Sequence, residues 1–207
     1  MPQKEIAYPF CTIGIDLGGT KISAGLLLYE AEGKKPTIIN QERVETQGDQ
    51  GRDVILANIF KAARLNMEFH EASEYSKYPI AGVGLGAAGR NNKKIGMVDS
   101  ATNVLAGWAG TPLVSSLEDE FGLPTAVVGD VQAHGFGEAT WGVGRDSECM
   151  FMVAAGTGVG SAIFFEKTLV NGAHGYAGEI GHVPCPGTKG LKCSCGSTSG
   201  HLEAVGG

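Results

Sequence analysis

The sequence predicts an α/β protein with two related lobes, and two observations support this prediction. Apolar runs typical of strands alternate with amphipathic segments typical of helices along the 207 residues. The order of strand, glycine-threonine turn and strand occurs at residues 12–28 and recurs at residues 150–165. An internal repeat of this kind is typical of two related halves, and a chain of this length can bury a substantial core.

Four strands and one long helix are predicted in the first part of the chain. Residues 12–17 and 22–28 are apolar runs joined by GGTK, which predicts a β-hairpin. Partial alternation of polar and apolar residues predicts a third strand at 37–46. Apolar residues at helical spacing predict an amphipathic helix over 53–70, and a small-residue run predicts a strand at 81–89.

A short helix and a further strand follow. Thr111 and Pro112 have the residue types of a helix N-cap and first helical position, and Gly122 is the expected terminator. TAVVGD at 125–130 predicts a buried strand that ends at Asp130, with another helix after it.

We place the boundary between the two lobes just before this strand. The first lobe is predicted to comprise residues 1–124 and the second to begin with residues 125–207. The second lobe then contains the repeated pattern of strand, turn and strand.

The composition favours a globular protein that acts on small molecules. Hydrophobic residues make up 43% of the chain and charged residues 18%, which excludes a disordered or fibrous protein. The formal net charge is −6 without a basic stripe, so we expect no nucleic acid and no membrane as a partner. With no secretory leader pattern, we expect a cytoplasmic protein. Its five cysteines, an odd number, favour metal or redox chemistry over a disulfide framework.

Two glycine-threonine turns are candidate phosphate-binding loops. The first contains Asp16, Gly18, Gly19 and Thr20, and the second contains Gly156, Thr157 and Gly158. Inward-turned backbone N–H groups in such turns bind phosphate oxygens. Neither turn matches the Walker pattern, and each one alone is more simply explained as an ordinary hairpin turn. As a pair they indicate a kinase-type site, in which Asp16 orients a hydrated Mg²⁺ ion.

The order of these motifs resembles the ROK sugar kinases, which have the actin-like, ribonuclease-H-like ATPase fold. The motifs are IGIDLGGTK at 13–21, NVLAGW at 103–108, Asp130, GTGVG at 156–160, and GEIGH followed by CSCG and GHLE. The resemblance implies two lobes around a cleft, with the second lobe incomplete here. It also implies a hexose substrate, ATP and Mg²⁺, a structural Zn²⁺ ion and a homodimer.

The cysteine-rich stretch near residue 190 matches the structural zinc site of that family. The resemblance implies His182, Cys193 and Cys195 as three of the four ligands that zinc favours. Where the family pattern is CxCGxxGCxE, this chain has CSCGSTSGHLE, with one additional residue and a histidine in place of a cysteine. His201 is therefore the expected fourth ligand and Cys185 the reserve. The alternative is a reduced cluster without metal.

The resemblance also implies the residues that bind and activate the sugar. Asn103, Glu179, His182 and Glu203 are expected to hydrogen-bond the sugar, and Asp130 is expected to be substrate-binding and the catalytic base. Without the resemblance, Asn103 suits a turn, Glu203 a helix N-terminus and Asp130 a helix cap.

One departure from the family lies next to the expected base. The family has an Asn-Asp pair where this chain has Gly129 and Asp130, and the loss of the amide can loosen the sugar's binding or shift its specificity. A carboxylate with a pKa of about 4 is a weak base, so Asp130 is expected to orient the hydroxyl and to accept its proton late.

The expected function is ATP-dependent phosphorylation of a hexose, with glucose first on family prevalence. The alternatives are an N-acetylmannosamine, N-acetylglucosamine or fructose kinase, and a non-catalytic sugar-sensing protein or inactive fragment. ROK repressors carry an N-terminal helix-turn-helix, and because the first candidate phosphate loop begins at Asp16 and the chain is acidic we do not expect a repressor here. Catalytic ROK chains continue past GHLE, so we expect residues 1–207 alone to transfer phosphate poorly, with adenine binding most affected.

Overall fold

The structure, a computed structural model, describes residues 6–92, 95–101, 104–156 and 158–206. It divides into two units, Met1–Asp130 and Val131–Gly207. Among the described residues, no helix combines the length and the apolarity that crossing a membrane requires.

The first unit is built on a mixed five-stranded sheet. Its strands and helices are β1 (Phe10–Leu17), β2 (Lys21–Tyr29), β3 (Thr37–Glu45), α1 (Arg52–Ala72), β4 (Ile80–Ala87), β5 (Arg90–Asn92), β6 (Met97–Ser100), α2 (Leu113–Phe121) and β7 (Thr125–Gly129). The strand order is β3-β2-β1-β4-β7, and β5 pairs with β6 in a separate two-stranded sheet. β1 is antiparallel to β2 but parallel to β4, and β4 is parallel to β7. The carboxyl ends of β1, β4 and β7 therefore lie at one edge of the sheet.

The core of the first unit lies between this sheet and helix α1. Alternate residues of β1 are buried, as expected for a strand with one face on the core. The buried side chains that β1 and α1 contribute are Cys11, Ile13, Ile15, Leu17, Ile55, Ile59, Ala62 and Ala63. Each fully buried Ile or Leu contributes about 1.5–3 kcal/mol relative to exposure, so this interface accounts for much of the unit's stability.

The described part of the second unit contains a three-stranded antiparallel sheet, one α-helix and two short 3-10 helices. Its elements are β8 (Cys149–Ala155), β9 (Val159–Phe165), β10 (Thr168–Leu169) and the helix α3 (Asp130–Trp141), which begins at the last residue of the first unit. The buried core described here is small and consists of Ala139, Ala162, Phe164 and Leu169. The rings of Phe136 and Phe164 meet edge to face with centroids 5.0 Å apart.

The structure confirms every predicted element and changes some of their ends. The first hairpin, the third strand, the long helix and the fourth strand are present, each within a few residues of its predicted bounds. Helix α2 begins at Leu113, one residue later than predicted, because Pro112 occupies the cap position with φ −83° and ψ 75°. Thr111 is not a cap, since its hydroxyl donates to the carbonyl of Trp108 at 2.6 Å. The short strands β5, β6 and β10 were not predicted.

The predicted boundary between lobes needs correction. Residues 125–129 were assigned to the second lobe, but they form strand β7 and pair with β4 in the first sheet. The division lies between Asp130 and Val131, so Asp130 ends the first unit and begins helix α3. The strand was predicted to be buried, but its residues are half-buried or exposed. A short apolar strand carries no signal for the sheet that it joins, which is why the sequence misplaced it.

Close packing of helix α3 on strand β9 generates a prediction about Gly135. A Cβ atom added at Gly135 would lie 2.4 Å from Cε2 of Phe164, whereas one added at Gly137 in the same helix would meet nothing within 4 Å. We expect Gly135→Ala to destabilise the protein by about 1–3 kcal/mol, because the buried ring has to move.

Gly137→Ala is the matched control. It is expected to stabilise the protein by up to about 1 kcal/mol, since alanine favours the helix over glycine. Urea unfolding followed by circular dichroism measures both changes, and a Gly135→Ala variant as stable as Gly137→Ala would contradict the packing described here.

Candidate functional site

The carboxyl edge of the first sheet brings two predicted site residues to one place. Asp16 in β1 pairs with Gly86 in β4, and Gly86 pairs with Val128 in β7. Adjacent strands lie about 4.8 Å apart, so the backbones of Asp16 and Val128 are about 10 Å apart. Asp130 follows Val128 by two residues. Open α/β sheets bind ligands at this edge, and the two carboxylates therefore have the placement expected of a site.

The first glycine-threonine turn is held in shape by Thr46. The Thr46 hydroxyl donates to the carbonyl of Gly18 at 2.7 Å, and its amide donates to the carbonyl of Thr20 at 2.9 Å. The Gly18 amide closes the turn on the carbonyl of Lys21 at 3.0 Å. Thr46 is fully buried at the end of β3. Sequence reasoning missed this residue, because only the pairing of β2 with β3 brings it to the turn.

The segment from Val104 to Ala109 packs against the same turn. A Cβ atom at Gly19 would lie 2.6 Å from Cγ1 of Val104, so only glycine allows this approach. The guanidinium of Arg52 donates to the carbonyl of Gly107 at 3.0 and 3.1 Å and to that of Ala109 at 2.8 Å. These contacts attach the NVLAGW segment to the amino end of helix α1.

Two of the predicted site residues cannot be placed. Asn103, the expected sugar ligand of the NVLAGW segment, and Thr157, of the second turn, both lie outside the described residues. At the end of the same segment, the buried Trp108 donates its indole N–H to the carbonyl of Ala88 at 3.2 Å, which fixes the position of that ring.

The second glycine-threonine turn joins β8 to β9. Its flanking glycines are bonded to each other, with the amide of Gly156 donating to the carbonyl of Gly158 at 2.9 Å. Glu203 lies against this turn, because a Cβ atom at Gly158 would be 3.2 Å from its carboxyl carbon. The turn and one predicted sugar-binding carboxylate are therefore neighbours in the second unit.

The second unit also contains a cluster of four metal-ligating side chains. His182, Cys193, Cys195 and His201 each offer one ligand atom, and these atoms all lie within 4.8 Å of one another. The Cys195 Sγ atom is 3.4 Å from Nδ1 of His201. Ligand atoms in tetrahedral zinc sites are separated by about 3.3–3.8 Å, so the cluster closes on a zinc ion with shifts of about 1 Å or less.

Tight turns and one β-bridge assemble this cluster. The Cys193 amide donates to the carbonyl of Ser197 at 2.8 Å, which folds the Cys-x-Cys segment back on itself. Pro184 and His201 form an antiparallel bridge that brings His201 alongside the segment after His182. Cys185, the reserve ligand, contributes no atom to the group, and its Sγ atom lies 3.7 Å from the carbonyl of Pro186.

The chemistry of the buried cysteine suits a cation. Burial raises the pKa of the Cys193 thiol, and the negative charge of Glu203 acts in the same direction. Such a thiol keeps its proton near neutral pH unless a metal ion replaces it. Oε2 of Glu179 lies 3.7 Å from Nδ1 of His182, which is within ion-pair range but longer than a hydrogen bond.

Comparison with known proteins identifies the family. The ROK family profile matches residues 12–205. The glucokinase of Halalkalibacterium halodurans is 34% identical over 193 residues, which cover 93% of this chain and 55% of the relative. A putative xylose repressor of a Caldicellulosiruptor species is 31% identical over 191 residues, or 92% of this chain and 45% of the repressor. The chain thus spans about half the length of these curated relatives.

A solved structure of the same family has the same fold. The ROK glucokinase of Streptomyces griseus, in complex with glucose and AMPPNP, superposes with a TM-score of 0.72 at 33% identity, covering 91% of this chain and 55% of that one. The predicted α/β class and actin-like fold are confirmed by this match. The chain therefore belongs to the ROK family.

Proposed function

We propose that this chain is part of an ATP-dependent hexose kinase whose preferred substrate is glucose. The observation that carries the proposal is the placement of Asp16, the first glycine-threonine turn and Asp130 at the carboxyl edge of one sheet. The 34% identity to a glucokinase supports the same reaction.

In this proposal Asp130 is the residue that activates the sugar. Its carboxylate accepts a hydrogen bond from the reacting hydroxyl, aims the oxygen at the γ-phosphorus of ATP and takes the proton late in the transfer. Gly129 beside it has no side-chain amide, so the carboxylate performs this positioning without the neighbour that the family's Asn-Asp pair provides.

In this proposal each glycine-threonine turn offers backbone N–H groups to the phosphate oxygens of ATP. The amides of Gly18 and Gly156 already donate to the carbonyls of Lys21 and Gly158, so the proposed donors to phosphate oxygens are the N–H groups of Gly19, Thr20 and Gly158. Asp16 holds the hydrated Mg²⁺ ion that accompanies ATP, and this ion offsets negative charge on the transferring phosphoryl group.

The sugar is bound by polar side chains that accept hydrogen bonds from its hydroxyls. They are Asn103, Glu179, His182 and Glu203. Carboxylates suit this task because each can accept several hydrogen bonds from a polyol. His182 has two ring nitrogens, so one can bind a metal while the other faces Glu179 and the sugar.

A structural Zn²⁺ ion fits the cluster formed by His182, Cys193, Cys195 and His201. Four nitrogen and sulfur ligands within 4.8 Å match the coordination that zinc prefers. The ion joins the turn of His182 to the Cys-x-Cys segment, and this cross-link restrains Glu179 and Glu203, which flank its ligands in the sequence.

Zinc content tests the ligand set. We expect the purified and dialysed chain to hold stoichiometric zinc by elemental analysis. His201→Ala should lower its zinc affinity by at least about tenfold, because even partners outside the coordination sphere change affinity by about 10–100-fold.

Cys185→Ala is the matched control for this measurement. It is expected to retain the zinc, since Cys185 supplies no atom to the cluster. If His201→Ala retained all of its zinc and Cys185→Ala lost it, the fourth ligand would be Cys185 and not His201. If the wild type held no zinc, the cluster would be a set of reduced thiols without metal.

Phosphate transfer tests the catalytic role of Asp130. We expect the protein encoded by the complete gene to release ADP with glucose in a coupled assay that also includes fructose, mannose, N-acetylglucosamine and N-acetylmannosamine. Asp130→Asn should lower kcat by about 10²–10⁴-fold, because general acid–base catalysis contributes that much, while hexose binding persists.

The control for Asp130→Asn is the same replacement at Asp119, an exposed residue of helix α2. Asp119→Asn should leave kcat unchanged. Turnover by Asp130→Asn within a few-fold of the wild type would show that another group activates the hydroxyl.

A sugar-sensing role without catalysis is the second candidate. The 31% identity to a putative xylose repressor favours it, as does Gly129 in place of the family's asparagine. Binding of one sugar in a titration, with no ADP release from any sugar of the panel, would establish the sensor and reject the kinase.

A further inference from the structure

Ser194 lies between the two cysteines of the metal cluster and contacts a predicted sugar-binding carboxylate. Its hydroxyl donates a hydrogen bond to Oε1 of Glu203. The Sγ atom of Cys193 lies 3.6 Å from the same oxygen. The Cys-x-Cys segment therefore holds Glu203 by one of its two carboxylate oxygens.

Two glycines hold the carboxylate from other sides. A Cβ atom at Gly158 would lie 3.2 Å from Cδ and from Oε2 of Glu203. A Cβ atom at Gly181 would lie 3.3 Å from Oε2 of Glu203 and 2.0 Å from the carbonyl oxygen of Val159. The carboxylate thus packs directly on backbone at both positions, which restricts the rotamers that Glu203 can adopt.

We propose that Ser194 is a positioning residue that orients Glu203 toward the sugar. This inference rests on the proposed function, in which Glu203 binds a hexose hydroxyl. A hydrogen bond from Ser194 directs Oε1 toward the Cys-x-Cys segment and leaves Oε2 as the acceptor for the hydroxyl. A hydrogen bond to an ionised acceptor is among the stronger ones, so one serine can hold one orientation of the carboxylate.

Through Ser194, the metal cluster can influence the position of the proposed sugar-binding carboxylate of Glu203. Ser194 cannot move independently of Cys193 and Cys195, because it is bonded to both in the chain. A metal ion that fixes these cysteines also fixes the donor of the hydrogen bond to Glu203. In this proposal Ser194, which lies between Cys193 and Cys195, links the metal site to sugar binding through Glu203, although it contacts neither the ion nor the sugar.

Hexose titrations of the zinc-loaded chain test the proposal. Ser194→Ala is expected to weaken glucose binding about tenfold, as loss of a hydrogen bond to a charged group does, with unchanged zinc content. Ser194→Thr keeps the hydroxyl and should restore binding to within about twofold of the wild type. Equal binding by Ser194→Ala and the wild type would overturn the proposal.

A double-mutant cycle separates positioning from a general effect on the loop. If Ser194 acts through Glu203, adding Ser194→Ala to Glu203→Gln should weaken binding no further, because the two changes remove one interaction. Additive losses, or loss of zinc in Ser194→Ala, would assign Ser194 a purely structural role.

Crystal structures of zinc-loaded wild type and Ser194→Ala without sugar supply a readout that does not depend on the proposed function. The carboxylate of Glu203 is expected to leave its position in the variant. An unmoved carboxylate would overturn the proposal even where sugar binding is intact. A wild type that binds no hexose would reject the proposed function, while the shift of Glu203 would still report whether Ser194 positions it.

Discussion

Parallel pairing of β1 with β4, and of β4 with β7, is the constraint on which the candidate site depends. Parallel strands end at the same edge of a sheet. Residues that follow β1 and β7 therefore lie at one edge, on either side of β4, although more than a hundred positions separate them in the sequence. The hydrophobic contact between this sheet and helix α1 stabilises the pairing. A carboxylate and a glycine-threonine turn then occur together as a consequence of strand direction.

In both units, glycine residues allow other side chains to pack directly against the backbone. Gly19 receives Val104, while Gly158 and Gly181 receive the carboxylate of Glu203, at distances that leave no room for a Cβ atom or only a tight one. The glycines of the two turns therefore have a packing role in addition to the phosphate-binding role that we propose. At Gly19 the Cγ1 atom of Val104 leaves no room for a Cβ atom without a shift, whereas at Gly158 the Glu203 side chain would have to move by only a few tenths of an ångström.

The cysteine-rich segment positions its side chains although the described hydrophobic core of the second unit is small. Only four buried hydrophobic residues form the described core of the second unit, apart from Cys193 in the metal cluster. Cross-linking by a metal ion, where one binds, stabilises a small structure by restricting its unfolded chain and its loops. The bridge of His201 with Pro184 runs alongside the segment after His182, and the His201 imidazole lies in one group with His182, Cys193 and Cys195.

The sequence by itself determined the seven longer strands, the helices and both glycine-threonine turns, and its resemblance to a known family implied the four residues of the cluster. The strands, helices and turns depend on local periodicity and on turn residues at short spacing, which a linear pattern contains. Only the tertiary structure decided that β7 belongs to the first sheet, that Thr46 and Arg52 hold the first turn and the neighbouring segment, and that Ser194 contacts Glu203. Such contacts join residues that are distant in the chain or unremarkable in type, and the free energy that selects them comes from packing of the whole unit.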